Sequence, residues 1–107
     1  MTENRRTASR HEVAIAVTVF VPGESFESKL ESTIANLSLG GAFVLLDERL
    51  SIGTPMKVRF RIATRDQPIE IGAVVRWTSN EGAGIQFDGL RAAEVFALEK
   101  FFDGLPE

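Results

Sequence analysis

The sequence predicts an all-β domain: a six-stranded antiparallel β-barrel followed by one C-terminal α-helix. Three observations lead there. Apolar residues recur at every second position along most of the chain, as strands with one buried face require. Clusters of Pro, Gly, Asn and Asp interrupt these runs at short intervals, as hairpins and tight connections require. The period changes to three or four residues only after Asp88-Gly89. At 107 residues the chain has room for one core and one domain. Short antiparallel strands that must hide their edges close into a barrel, and a helix with an apolar stripe plugs or flanks it.

Residues 1–11 are polar and aperiodic, and read as a flexible arm in front of a barrel-and-helix unit spanning 12–104. Val13, Ile15, Val17, Val19 and Val21 alternate with small or polar residues until Pro22-Gly23 ends the first strand. Residues 28–38 form a more polar strand with one wet face, and residues 41–46 a short buried one. Asp47 to Pro55 is a loop. Met56, Val58, Phe60 and Ile62 then alternate with Lys57, Arg59 and Arg61, giving a half-buried strand with a solvated basic stripe. Asp66-Gln67-Pro68 turns the chain, and Ile69, Ile71, Ala73, Val75 and Trp77 line one face of the next strand, which places Trp77 in the core. Ser79-Asn80-Glu81-Gly82 reads as a hairpin leading to the last strand at Gly84–Phe87. The helix covers about 90–103 and stops at Gly104 and Pro106.

Composition narrows the function. The absence of cysteine removes disulfides and thiolate metal sites. The longest apolar-rich run, Val13–Val21, is about half of what a membrane helix requires, so no membrane insertion is expected. Met1 to Arg6 lacks the hydrophobic stretch of a signal peptide, and a cytoplasmic location is the expectation. The acids Asp47, Glu48, Glu70, Asp88, Glu94 and Glu99 are dispersed, without metal-ligand or acid–base spacing. His11, the only histidine, has no carboxylate or cysteine partner nearby in sequence and reads as structural or surface. With no nucleophile–base pair, no metal cluster and no phosphate-cradling loop leading into a helix, the chain is not expected to be an enzyme.

Charge placement is more informative. The chain carries a net charge of −3, yet Arg5, Arg6 and Arg10 give residues 1–11 a balance of +2 against one acid, Glu3. The remaining residues hold 9 basic against 14 acidic groups, a balance of −5. Such local placement suits a small anionic ligand better than a long polyanion. Guanidinium groups fork to phosphate, fork to the O6/N7 edge of guanine, or stack on a purine. Taken alone, the arginines read first as an ordinary solvated tail. Farther on stands Asn36-Leu-Ser38-Leu-Gly-Gly41. On a strand, Asn36 and Ser38 share one face while Leu37 turns to the core. An Asn amide can accept from guanine N1–H or N2–H₂, and a Ser hydroxyl can bond a phosphate or ring edge. The same six residues also suit a plain hairpin corner.

Together, Arg6-x-x-x-Arg10 and Asn36-x-Ser38-x-x-Gly41 resemble the two-part signature of the PilZ domain, a bacterial receptor module for cyclic di-GMP. Gly82-Ala-Gly84-Ile-Gln-Phe87 is similar to the family's pattern near its end, so the resemblance spans nearly the whole chain. It implies that Arg6 and Arg10 grip phosphates and guanines as the arm folds over the ligand. Asn36 and Ser38 then hold one guanine and an adjacent polar group, and Gly41 keeps the strand end clear. Arg5, just before the motif, implies two stacked ligand molecules per protomer, whose roughly four negative charges a third guanidinium helps neutralise. The implied function is a second-messenger receptor that signals to a downstream protein through ordering of the arm. Two other readings stay open: an interaction adaptor of the same fold that binds no nucleotide, and a small barrel for single-stranded nucleic acid. The acidic total, the local positive charge and the lack of a Tyr or Phe platform on a wet strand face count against the last.

Overall fold

The computed structural model describes residues 10–23 and 28–105. Strands β1 (His11–Val21), β2 (Ser28–Leu37), β3 (Gly41–Leu45), β4 (Pro55–Phe60), β5 (Ile69–Thr78) and β6 (Gly82–Phe87) precede helix α1 (Ala92–Asp103). All pairings are antiparallel, and the sheet closes in the order β1-β2-β3-β6-β5-β4. Closure is made by Val17–Phe20 of β1 against Lys57–Phe60 of β4. The predicted barrel with its terminal helix is therefore the observed architecture.

The alternation that predicts the strands also fills the barrel. Val17, Val19, Val58, Ile69, Ile71, Ala73 and Val75 are buried, each two residues from the next inward position on its strand. β4 alternates without a break: Met56, Val58 and Phe60 are buried, while Lys57 and Arg59 are exposed. Arg59 lies 3.0 Å from Glu70 on the neighbouring strand, and Phe20 underlies the guanidinium 5.0 Å away. The basic stripe is thus partly engaged in cross-strand contacts. Each fully buried aliphatic side chain contributes about 1.5–3 kcal/mol relative to exposure.

Helix α1 begins two residues later than periodicity predicts. Gly89 has φ +148°, and Arg91 is extended with φ −78° and ψ 161°, so the chain is not helical until Ala92. The Arg91 N–H donates to Glu94 Oε1 at 2.9 Å, satisfying one N-terminal backbone donor. Ala97 and Leu98 are buried against the barrel, Phe101 and Phe102 are half-buried there, and Thr64 donates to the Ala97 carbonyl at 2.6 Å. Phe96, by contrast, is 63% exposed. His11 stacks on Phe102, centroids 4.1 Å apart, which gives the lone histidine a structural place between β1 and the helix.

The register shifts at three places, once between Glu12 and Ile15 of β1 and at two further β-bulges that decide how β2 and β5 face. In β2, Ile34 pairs with Val44 but Asn36 pairs with Phe43, so Ala35 is the extra residue. In β5, Val75 pairs with Ile85 but Trp77 pairs with Gly84, so Arg76 is the extra residue. A bulge shifts the side-chain phase by one position and re-aims the side chains beyond it. Hence Leu37, three residues after Ile34, is again in the core, and Asn36 is on the outer face. By the same shift Trp77 leaves the core. It is 40% exposed, and the expectation that it is buried with Val75 is corrected. Among the described residues, no helix is long and apolar enough to cross a membrane.

Candidate functional site

The two bulges assemble a row of outward residues across five strands. Glu12 of β1 is opposite Asn36 of β2, Asn36 is opposite Phe43 of β3, Phe43 is opposite Gly84 of β6, and Gly84 is opposite Trp77 of β5. Gly84 has no side chain, so the indole lies across it and stacks on Phe43 at 5.1 Å between centroids, with 15° between planes. A Cβ on Gly84 would overlap indole Nε1 and Cε2, so only glycine accommodates this ring position. Phe43 is left only 8% exposed beneath the indole, although it points away from the core. The outer face thus carries an aromatic platform, formed by the Trp77 that strict alternation places in the core.

Trp77 is the wall shared by two grooves. One, of about 300 Å³, is lined by Arg10, Ser38, Gly40, Gly41, Arg76 and Gln86 among others. The Arg10 guanidinium is 6.0 Å from the indole centroid, within the range of a cation–π contact. The other groove, of about 550 Å³, is lined by Glu12, Asn36, Phe43, Ser79 and Glu81 among others. Of the predicted site residues, Arg10, Ser38 and Gly41 therefore converge on one side of Trp77, and Asn36 lies on the other. Arg5 and Arg6 lie outside the described residues.

Ser38 has a structural duty that the sequence did not disclose. It follows β2 directly and is 7% exposed. Its Oγ accepts from the N–H groups of Gly40 and Gly41, both at 3.2 Å, and its own N–H donates to the Gly41 carbonyl at 2.9 Å. The hydroxyl expected to bond a ligand is thus bonded inside the β2–β3 turn, satisfying two backbone donors there. The Gly40 carbonyl accepts from the Phe87 N–H at 2.8 Å, tying the turn to β6. Gly41 is required for a related reason. A Cβ there would overlap the Ile85 carbonyl oxygen, so the clash that a side chain would cause is with the barrel's own backbone. Gly40 has open space around it.

Chemically the two grooves differ. The first has two guanidinium groups and no carboxylate among its lining residues. The second has the Asn36 amide and two carboxylates, Glu12 and Glu81. One side suits an anion, the other suits a hydrogen-bond donor edge, and a flat aromatic surface stands between. Among the described residues no group of three or more His, Cys, Asp or Glu is placed to hold a metal ion.

Sequence reasoning missed Trp77 and Arg76 because strict alternation cannot see a bulge. The available signal was Gly84, since a glycine inside a strand marks a bulge or a close approach.

Comparison with known proteins agrees with this architecture. The family model described as the PilZ domain matches residues 4–104. The inhibitor of motility MotI/DgrA of Bacillus subtilis superimposes with a TM-score of 0.69 at 19% identity, over 99% of this chain and 55% of that one. The chain thus spans about half the length of that protein. The PilZ domain of CeSA from a cellulose-synthesizing bacterium superimposes with a TM-score of 0.67 at 19% identity, over 90% of this chain and 97% of that one. No curated protein gives a significant sequence match. With the family model covering nearly all of the sequence, and with the barrel and its helix in place, the chain belongs to the PilZ domain family.

Proposed function

We propose that this chain is a receptor for cyclic di-GMP, carried by the Arg10–Trp77 arrangement beside Asn36. The ligand is a dianion with two guanines, so it needs cations, a stacking surface and acceptors for the guanine N1–H and N2–H₂. Arg10 and the indole supply the first two within 6.0 Å of each other. Asn36 and its cross-strand neighbour Glu12 supply acceptors in the adjoining groove. Arg10 contacts a phosphate or a guanine edge. Ser38 acts by shaping the turn that forms one margin of the site, and Gly41 by letting β3 approach β6 closely.

In this reading Arg5 and Arg6 join Arg10 on the ligand, and Arg5 supports two ligand molecules per protomer. Binding then fastens the leading segment to the barrel and presents a changed surface to a partner protein. Fixing that segment costs roughly 1–2 kcal/mol per residue, against roughly 1.5–3 kcal/mol for each charge-assisted hydrogen bond to the ligand. A second reading, an adaptor that binds no nucleotide, is favoured by Phe96, which stands 63% exposed on α1 as a protein-docking residue would. A thermal-shift titration separates the two. A ligand that binds only the folded state raises the melting temperature, so cyclic di-GMP must do so and cyclic di-AMP must not. Absent shifts favour the adaptor, and equal shifts with the two dinucleotides contradict selectivity for guanine.

A further inference from the structure

We infer that Arg76 is a further ligand-binding residue: its guanidinium provides a second anion contact on the far strand of the Arg10 groove. This inference rests on the receptor reading above and deepens it. The β5 bulge leaves Arg76 and Trp77 consecutive and both exposed, so a cation stands directly beside the aromatic platform. Arg76 and Arg10 line the same groove of about 300 Å³, although one comes from β5 and the other from the segment entering β1. Gly40, whose missing side chain leaves open space, lines the same groove. Phosphate can therefore come close to the backbone there while both guanidinium groups reach it from the flanks.

The charge setting supports the assignment. Arg59 is held by Glu70 at 3.0 Å, whereas Arg76 has no ion-pair partner among the described residues, and no carboxylate lines its groove. Of the residues lining this groove, Arg10 and Arg76 are the two that carry positive charge, one from each side. Arg76 offers a planar fork of parallel N–H donors matched to two phosphate oxygens, a geometry that a lysine lacks. Its exposure and its place on the bulge's outer face mean that it contributes little to the core, so its replacement tests binding rather than folding.

The test is calorimetric titration of wild type, Arg76→Ala and Arg76→Lys with cyclic di-GMP at low and high salt, with unliganded melting temperatures measured alongside. Arg76→Ala is expected to weaken affinity roughly 10- to 100-fold, the loss of one charge-assisted contact, and to flatten the salt dependence. Arg76→Lys should fall between the two, keeping the charge but not the fork. All three should melt alike without ligand. If Arg76→Ala titrates like wild type in affinity and salt response, the inference is wrong while the receptor reading stands. If wild type itself gives no heat, the receptor reading fails and this inference with it. Should Arg76→Ala melt early, Arg76→Lys decides, and wild-type affinity in that variant at both salt concentrations overturns the role of the fork.

Discussion

Trp77 rests flat on Phe43, 5.1 Å between ring centroids, across the space that Gly84 leaves empty. This contact gives the barrel an aromatic surface on its outer face. It places a large π surface outside the core, with Arg10 over it and Asn36 in the groove beside it.

Trp77→Ala should therefore lower cyclic di-GMP affinity by about 1–3 kcal/mol, the value of one base–aromatic stack, with only a modest change in stability. Trp77→Phe should retain part of the stack. Because the chain has a single tryptophan, its emission reports on the site directly. Ligand addition should quench it in wild type, and an unchanged spectrum at saturation would contradict stacking.

Gly84→Ala should leave the barrel folded but displace the indole, since the new Cβ would overlap the ring and not the backbone. Weaker ligand binding and an altered tryptophan emission in the unliganded protein are expected together. Gly41→Ala differs, because its Cβ meets the Ile85 carbonyl. It should lose about 1–3 kcal/mol in chemical denaturation, as strain inside the β3–β6 pair.

Ser38→Ala separates positioning from contact. Removing Oγ leaves the Gly40 and Gly41 amides without their acceptor, which costs about 1–3 kcal/mol of stability. Affinity should fall along with stability. A variant that binds poorly while unfolding like wild type would mean that the hydroxyl meets the ligand instead.

Much of the architecture is legible in the sequence, for a physical reason. Period-two alternation reports burial, and burial dictates the barrel; the β4 run from Met56 to Phe60 shows it without exception. Asn36 and Ser38 stand out in the sequence as neighbours beside a pair of glycines, but their duties are not separable there. Whether a hydroxyl faces solvent or a turn amide depends on backbone geometry that no spacing encodes. Trp77 is misplaced by alternation because one inserted residue, Arg76, inverts the phase after it, and the one mark of this, Gly84, stands on the neighbouring strand. Phe96 is ambiguous for a related reason. With Val95, Ala97 and Leu98 beside it, the apolar arc of α1 is broad enough to admit several orientations, and the packing of Ala97 and Leu98 selects one. Leu98→Ala should accordingly cost about 2–5 kcal/mol, and Phe96→Ala no more than about 0.5 kcal/mol, in parallel denaturant melts.

Arg10→Ala should abolish binding while leaving the melting temperature of the unliganded protein unchanged, because the residue is exposed and precedes the first strand. Arg6→Ala should behave alike. Loss of fold in either variant would show the leading segment to be part of the core.

The most direct measurement is isothermal titration of the folded wild-type protein with cyclic di-GMP, with cyclic di-AMP as the control. A saturable heat for the guanine dinucleotide, near two ligands per protomer and absent for the adenine one, is the result predicted. No heat with cyclic di-GMP from protein whose melting curve is cooperative would contradict the receptor function and leave only the fold.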